Sequence, residues 1–220
     1  MVKAFVAGAA GNTGRRIVAQ LVERGVDVRA LVRDRNQAQE ILPPEAELVI
    51  GDVLNTQSLL DAIGDSTVLL SATGAAPSFN PLGPYSVDYV GTKNLVNVAK
   101  EKQLEQFVMV SSLCTSKLLH PLNLFFLILV WKKQAEAYLQ SSGLKYTIVR
   151  PGGLKNEDNN DRIVMSGADT LFEGSLPRTK VAQVCVEALS DPEAANKIVE
   201  IVAQPDAPEQ SFHELFASVA

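Results

Sequence analysis

Apolar positions in this chain gather into short β-prone runs, and between those runs they recur at helical spacing, so strands and helices alternate from one end to the other. The runs cover residues 2–7, 26–32, 46–50, 66–72, 106–110, 145–149 and 197–202. Ile17, Leu21 and Val22 place a helix that begins near Asn12 and stops at Gly25. Leu59, Leu60 and Ile63 mark a short one, and Val87, Val90, Leu95, Val96, Val98 and Ala99 mark a long one over 85–102. Further helices are expected over 135–142, ending at Gly143, over 181–189, and over 211–219 at the close. Such alternation predicts one α/β domain over residues 1–220, doubly wound, with a mostly parallel sheet of about seven strands whose order begins 3-2-1-4-5.

One stretch breaks the rhythm. Residues 118–131, L-L-H-P-L-N-L-F-F-L-I-L-V-W, are the most apolar in the chain, yet the unbroken run at 124–131 is eight residues long. A bilayer span needs about 20, so no transmembrane helix is expected. Two readings stay open: a buried helix start packed on the sheet, or a partly exposed patch for a partner or a peripheral membrane contact, which Lys132 and Lys133 would suit. His120, beside Pro121, reads as a loop residue rather than a general base.

The strand ends carry the candidate chemistry. The first run opens into G-A-A-G-N-T-G, with Gly8, Ala10, Gly11, Asn12, Thr13 and Gly14 in a turn that leads into a helix. Glycine allows a turn this tight and a close approach to a pyrophosphate, and the helix N-terminus behind it offers free N–H groups to an anion. Arg33 ends the second run where a dinucleotide's ribose 2′-position lies, which favours the 2′-phosphate of NADP(H), with Arg35 or Arg15 as a second donor; Asp34 keeps NAD(H) open. After the third run, Asp52 either accepts from the adenine amino group with Val53 packed on the ring, or is a turn or capping aspartate. Thr73 and Gly74, in Thr73-Gly74-Ala75-Ala76-Pro77, let the backbone approach a ribose closely. Ser111 and Ser112 end the fifth run where nicotinamide and substrate would meet, or else cap the next segment. Pro151, Gly152 and Gly153 leave the sixth as an exit without side-chain obstruction. The polar run 155–162 is expected as a surface loop rimming a substrate, and substrate or partner elements are expected mainly in 113–131 and 154–180.

Composition narrows the classes. Hydrophobic residues make up 46% and charged ones 20%, ordinary for a soluble α/β protein. A net charge of −5 without a basic cluster excludes a nucleic-acid partner. Cys114 and Cys185 lack the spacing of a disulfide framework or a metal site, which fits a reducing compartment. Met1 leads straight into the first strand, so the expectation is a cytoplasmic protein without a targeting segment.

Together, G-A-A-G-N-T-G, Arg33, G-D-V at Gly51-Asp52-Val53, S-S at Ser111-Ser112 and R-P-G-G at Arg150 to Gly153 resemble the atypical short-chain dehydrogenase/reductase family. The likeness spans nearly the whole chain. It is greatest in G-P-Y-S-V-D-Y-V-G-T-K-N-L-V, V-S-S-L-C-T-S-K and W-K-K-Q-A-E-A-Y-L-Q-S-S-G-L-K-Y-T-I-V-R-P-G-G, which look like the NADP(H)-binding domains of the redox-sensing, reductase-tethering subunits of the chloroplast Tic translocon. L-V-R-D, G-D-V-L and S-G-L-K-Y carry a more distant likeness to biliverdin-IXβ/flavin reductases. The resemblance implies a Rossmann fold and NADP(H) binding. It also implies hydride transfer to a small acceptor of flavin, quinone or tetrapyrrole type, with Ser111, Ser112 or solvent assisting. The other reading is a cofactor-sensing module that binds a protein or membrane partner through 118–131. It points to a photosynthetic bacterium, or to a plastid protein without its transit peptide. Two departures stand out. The family's Tyr-x-x-x-Lys pair falls at Val130 and Gln134, with Lys133 turned away by about 100° on a helix, and the family's asparagine is Asp88. The translocon subunit's tethering tail has no counterpart, so that route of tethering is not expected.

Overall fold

In the computed structural model, which describes residues 2–75 and 80–219, the chain folds as a single α/β domain. The elements follow in the order β1 (Lys3–Ala7), α1 (Gly14–Glu23), β2 (Asp27–Val32), α2 (Arg35–Gln39), β3 (Glu47–Ile50), α3 (Thr56–Ile63) and β4 (Val68–Ser71). A π-helix (Tyr85–Gly91) runs directly into α4 (Thr92–Glu101), followed by β5 (Gln106–Val110), a 3-10 turn (Pro121–Leu124), α5 (Ile128–Gln140) and β6 (Tyr146–Pro151). Then come β7 (Gly153–Lys155), β8 (Arg162–Gly167), β9 (Ser175–Pro177), α6 (Arg178–Glu187), β10 (Lys197–Gln204) and α7 (Phe212–Ala217).

Among the described residues the main sheet has eight strands in the order β3-β2-β1-β4-β5-β6-β10-β8, parallel except for β8, which runs antiparallel along the outer edge of β10. The central strands read as near-continuous apolar runs because both faces are covered. On β1, Ala4 and Val6 join the core under α1 and α6, while Phe5 and Ala7 join the core under α3, α4 and α5. Val108 and Phe107 divide in the same way on β5. The order reverses between β2-β1 and β4-β5, which opens a crevice at the carboxyl ends of β1 and β4.

The expected order 3-2-1-4-5 is observed, and α2, β7, β8 and β9 are elements the spacing does not announce. β8 begins where the loop expected over 155–162 ends; its three apolar residues are too few to stand out, and pairing with β10 supplies the register. β7 and β9 form a two-stranded parallel sheet. The helix expected over 85–102 is π-wound in its first part, where Gly91 packs under Val53 so tightly that a Cβ would meet the Val53 Cγ2 at 2.9 Å.

Candidate functional site

The glycine turn follows from two collisions that only glycine avoids. Gly8 has φ +75°, and a Cβ there would sit 2.7 Å from the Ala72 carbonyl oxygen at the end of β4. A Cβ on Gly14 would strike the carbonyl oxygen of Gly8. The turn closes through Gly11 N donating to Gly8 O at 3.0 Å, and α1 begins with Arg15 N donating to Gly11 O at 2.9 Å. Thr13 makes no side-chain cap, and the amides of Asn12, Thr13 and Gly14 meet no acceptor among the described residues. Ala10, Gly11 and Asn12 are exposed. Three unclaimed amides at an uncapped helix start, on a turn without side-chain cover, fit the pyrophosphate of a dinucleotide.

Arg33 follows β2, exposed and without an ion pair among the described residues. Its neighbours have other tasks: Asp34 Oδ1 accepts from Asn36 N at 2.9 Å and Gln37 N at 3.2 Å as the N-cap of α2, and Arg35 donates to Leu48 O at 3.0 Å. Asp52 Oδ1 accepts from Leu54 N at 2.9 Å, the turn contact that the sequence left as one of two readings. Val53 rests on Gly91, and its carbonyl accepts from Asn94 at 2.9 Å. Thr73 shares a hydrogen bond of 3.0 Å with Ser71, and Gly74 is exposed at the mouth of the crevice; Ala76 and Pro77 lie outside the described residues.

Beside Gly74 stands a pair that the sequence reading overlooked. Lys132 Nζ lies 2.7 Å from Asp88 Oδ1, with the two side chains 12% and 1% exposed, and Asp88 Oδ2 accepts from Ala75 N at 3.2 Å. A Cβ on Gly74 would lie 3.9 Å from the ammonium. Val130 and Gln134 still supply no Tyr-x-x-x-Lys pair, and the cation beside Gly74 comes from another residue of α5. Gln134 is exposed and Lys133 turns toward Glu136 at 3.9 Å, but Lys132, one residue earlier, brings a cation to the end of β4. Asp88 holds it there, and the π-winding of 85–91 sets the carboxylate's phase.

Ser111, at the end of β5, is bonded within the protein. Its Oγ donates to Glu136 Oε1 at 2.6 Å inside a buried polar cluster. Arg150, fully buried on β6, donates from Nε and Nη2 to the two oxygens of Glu136 at 2.9 and 2.8 Å, and from Nη1 to Asp169 at 2.8 Å and Glu200 at 3.1 Å. Burial alone would lower the guanidinium's pKa, but Glu136 and Glu200 outweigh it and hold the group charged. Glu200 in turn accepts from the amides of Asp169, Thr170 and Leu171, which fixes the segment between β8 and β9 over the ends of β5 and β6. Ser112, next in sequence, is half-buried.

The exit of β6 at Pro151, Gly152 and Gly153 is partly bonded within the protein. The Pro151 carbonyl accepts from Leu113 N, Gly152 N donates to Ile201 O, and Gly153 N donates to Gly174 O, so these groups are engaged within the protein. A Cβ on Gly152 would reach the Gly174 carbonyl at 2.5 Å, and that close approach is why glycine stands there.

The apolar stretch divides: residues 118–127 are mostly exposed, whereas Leu129, at the start of α5, is buried against Leu113, Cys114 and Val202. Leu119 is 97% and Leu124 85% accessible, with Leu118, Leu122, Phe125, Phe126 and Leu127 also exposed. Phe126 and Leu127 hold left-handed φ of 55° and 59°, so α5 starts only at Ile128. His120 Nδ1 accepts from Leu122 N at 3.2 Å as a loop cap. Among the described residues no helix is long and apolar enough to cross a membrane.

A family profile described as NAD(P)H-binding matches residues 8–192. An uncharacterized chloroplastic protein of Arabidopsis thaliana is 47% identical over 230 residues, which cover 99% of this chain and 82% of that protein. The TIC 62 protein of Pisum sativum is 34% identical over 93% of this chain, and the chain spans 43% of its length. Sanguinarine reductase of Eschscholzia californica is 29% identical, covering 98% of this chain and 95% of its own. Among solved structures, a putative NAD-dependent epimerase/dehydratase from Bacillus halodurans has the same fold, with a TM-score of 0.87 at 24% identity over 99% of both chains.

Proposed function

Because the chain belongs to the NAD(P)H-binding family and is related to the chloroplast TIC 62 proteins, we propose that it is an NADP(H)-dependent oxidoreductase. Its acceptor is a small molecule of flavin, quinone or tetrapyrrole type. The observation that carries this reading is the crevice itself: three free amides at the glycine turn on one side and the Lys132–Asp88 pair with Ser112 on the other. The name of sanguinarine reductase, matched over nearly its full length, supports a reductase.

When bound, the nicotinamide supplies the hydride. The chain's own residues supply the rest. Asn12, Thr13 and Gly14 receive the pyrophosphate. Arg33 meets the 2′-phosphate, a role that Asp34 does not contest because its carboxylate caps α2. Lys132, held by Asp88, presents a cation to the ribose and to charge developing on the acceptor. Ile128 stands four residues before Lys132, so no tyrosine accompanies the lysine to donate a proton, and Ser112, Lys132 or water fills that part. Acceptors whose reduction is driven mainly by hydride gain suit such a site. The chloroplastic relatives support a plastid or photosynthetic setting.

Titration with NADPH and NADH, followed by nucleotide fluorescence, tests the cofactor; Arg33→Ala is expected to weaken NADPH by about tenfold and leave NADH unchanged. A panel of flavins, quinones and linear tetrapyrroles tests the chemistry. Tight NADPH binding with no oxidation by any of them would end the enzymatic reading.

The exposed face at residues 118–127 favours a second reading, in which NADP(H) occupancy sets the affinity for a protein or membrane partner. Pull-down and vesicle flotation with NADPH, with NADP⁺ and without nucleotide decide it; equal binding in all three removes it.

A further inference from the structure

Three guanidiniums converge on the outer side of the glycine turn. Arg15 and Arg16 lie in the first turn of α1, and Arg178 opens α6. Arg16 donates to Asn12 O at 2.7 Å and to Asn156 O at 3.2 Å. Arg178 donates to Asn156 Oδ1 at 2.8 Å and to Leu154 O at 3.3 Å. A single residue, Asn156, receives both side chains and fixes where they meet.

Every acceptor in this cluster is neutral. Among the described residues no carboxylate forms an ion pair with Arg15, Arg16 or Arg178, although the chain carries a net charge of −5. Burial, and then the fields of Arg16 and Arg15, lower the pKa of Arg178, so the grouping is unfavourable in itself. Both adjoining helix starts add partial positive charge: α1 and α6 lack side-chain caps and have no acid in their first turns. Where this chain stabilises a helix start for its own sake it does the opposite, as at α7, where Ser211 and Glu214 form a capping box.

We propose that Arg16, Asn156 and Arg178, with Arg15 at the rim, form an oxyanion-binding site separate from Arg33. Arg33 follows β2, whereas Asn156 and Arg178 follow β7 and β9, which continue from the exit of β6 on the other side of the crevice. The ligand group is a phosphoryl or carboxylate oxygen. It belongs either to the dinucleotide's pyrophosphate, which rests on the reading of the glycine turn given above, or to an acidic acceptor.

The test compares wild type with Arg16→Gln, Arg178→Gln and the double variant. If the site grips the pyrophosphate, the double variant weakens NADPH and NADH alike by at least about tenfold and leaves their ratio unchanged. If it grips an acceptor, nucleotide affinity is unaltered, while binding of flavin mononucleotide falls at least about tenfold and that of riboflavin, which lacks the phosphate, does not. Arg24→Gln, which breaks the 2.6 Å pair with Glu187 in the same α1–α6 groove, serves as the control and leaves all affinities as they were. Unchanged binding of every probe in the double variant, or an equal loss in Arg24→Gln, overturns the proposal. Wild type that binds no dinucleotide defeats the cofactor reading instead, and the flavin pair then decides the oxyanion site alone.

Discussion

Arg150→Met is the most severe substitution the cluster beneath Ser111 offers, and its cost can be apportioned. The guanidinium makes four hydrogen bonds, two to Glu136 and one each to Asp169 and Glu200. Without it, Glu200 keeps three backbone amides at 2.7 to 3.0 Å, and Asp169, 41% exposed, turns to water. Glu136 is fully buried and retains only the Ser111 hydroxyl at 2.6 Å, Thr115 at 3.5 Å and the Lys133 ammonium at 3.9 Å. The penalty therefore falls on Glu136, and a buried carboxylate stripped of its cation costs about 3–5 kcal/mol, a large part of the roughly 5–15 kcal/mol that holds a domain together. Glu136→Gln alone keeps the Ser111 and Thr115 contacts and leaves Arg150 with two carboxylates, so it costs about 1–2 kcal/mol. In the double variant no buried charge is left without a partner at position 136, and the two losses are expected to fall short of their sum by about 2 kcal/mol. Urea titrations followed by far-UV circular dichroism, analysed with a common slope, give all three values. Additive losses, or an Arg150→Met cost below about 1 kcal/mol, would refute this assignment of the strain to Glu136.

Gly8→Ala puts a Cβ 2.7 Å from the Ala72 carbonyl at φ +75°, so it is expected to cost about 2 kcal/mol or more and to weaken NADPH in fluorescence titration; unchanged affinity would mean that the turn does not hold the nucleotide. Burial pushes the Cys185 thiol up to about 12 and raises that of Cys114, so a native chain at pH 8 is expected to react slowly with a thiol reagent and to release both thiols in denaturant; rapid native labelling would contradict the packing. Burial raises the pKa of Asp169, but the Ser116 hydroxyl and Arg150 outweigh it and hold the carboxyl below its ordinary 3.8. Its contribution to stability is present above that value and is lost as pH falls through the folded one, so Asp169→Asn should flatten the acid limb of a stability–pH curve; an unaltered limb would show the carboxylate to be idle.

The fold was legible because its strongest signals are local. The central strands β1, β4 and β5 read as near-continuous apolar runs, and Gly25 and Gly143, both at left-handed φ, punctuate the helices where the spacing placed their ends. β8 was not legible, because three apolar residues in a polar stretch become a strand only when β10 supplies the partner edge. The same limit explains residues 118–131. Hydropathy states that a segment is apolar, but two successive left-handed residues at Phe126 and Leu127 turn it outward before α5 can start, and neither is a glycine that would announce the turn.

At the site, the division runs between residues that act through backbone shape and residues that act through partners. Gly8, Gly11 and Gly14 are written in the sequence, since their spacing is itself the geometry of the turn. Lys132 is not: a lysine, Val130 and Gln134 within five residues of α5 cannot be ranked without knowing the helix phase, and that phase is set by Asp88 on a π-turn more than 40 residues earlier. A helix that slipped by one residue would turn by about 100° and present Lys133 or Trp131 to the crevice. Asp88→Asn therefore separates the two parts of the site. It removes the charge that anchors Lys132 and leaves the glycine turn untouched, so NADPH affinity is expected to stay within about threefold while turnover falls by about 1.4 kcal/mol or more in activation free energy, roughly tenfold. Equal loss of binding and turnover would place Asp88 in the scaffold and take Lys132 out of the chemistry.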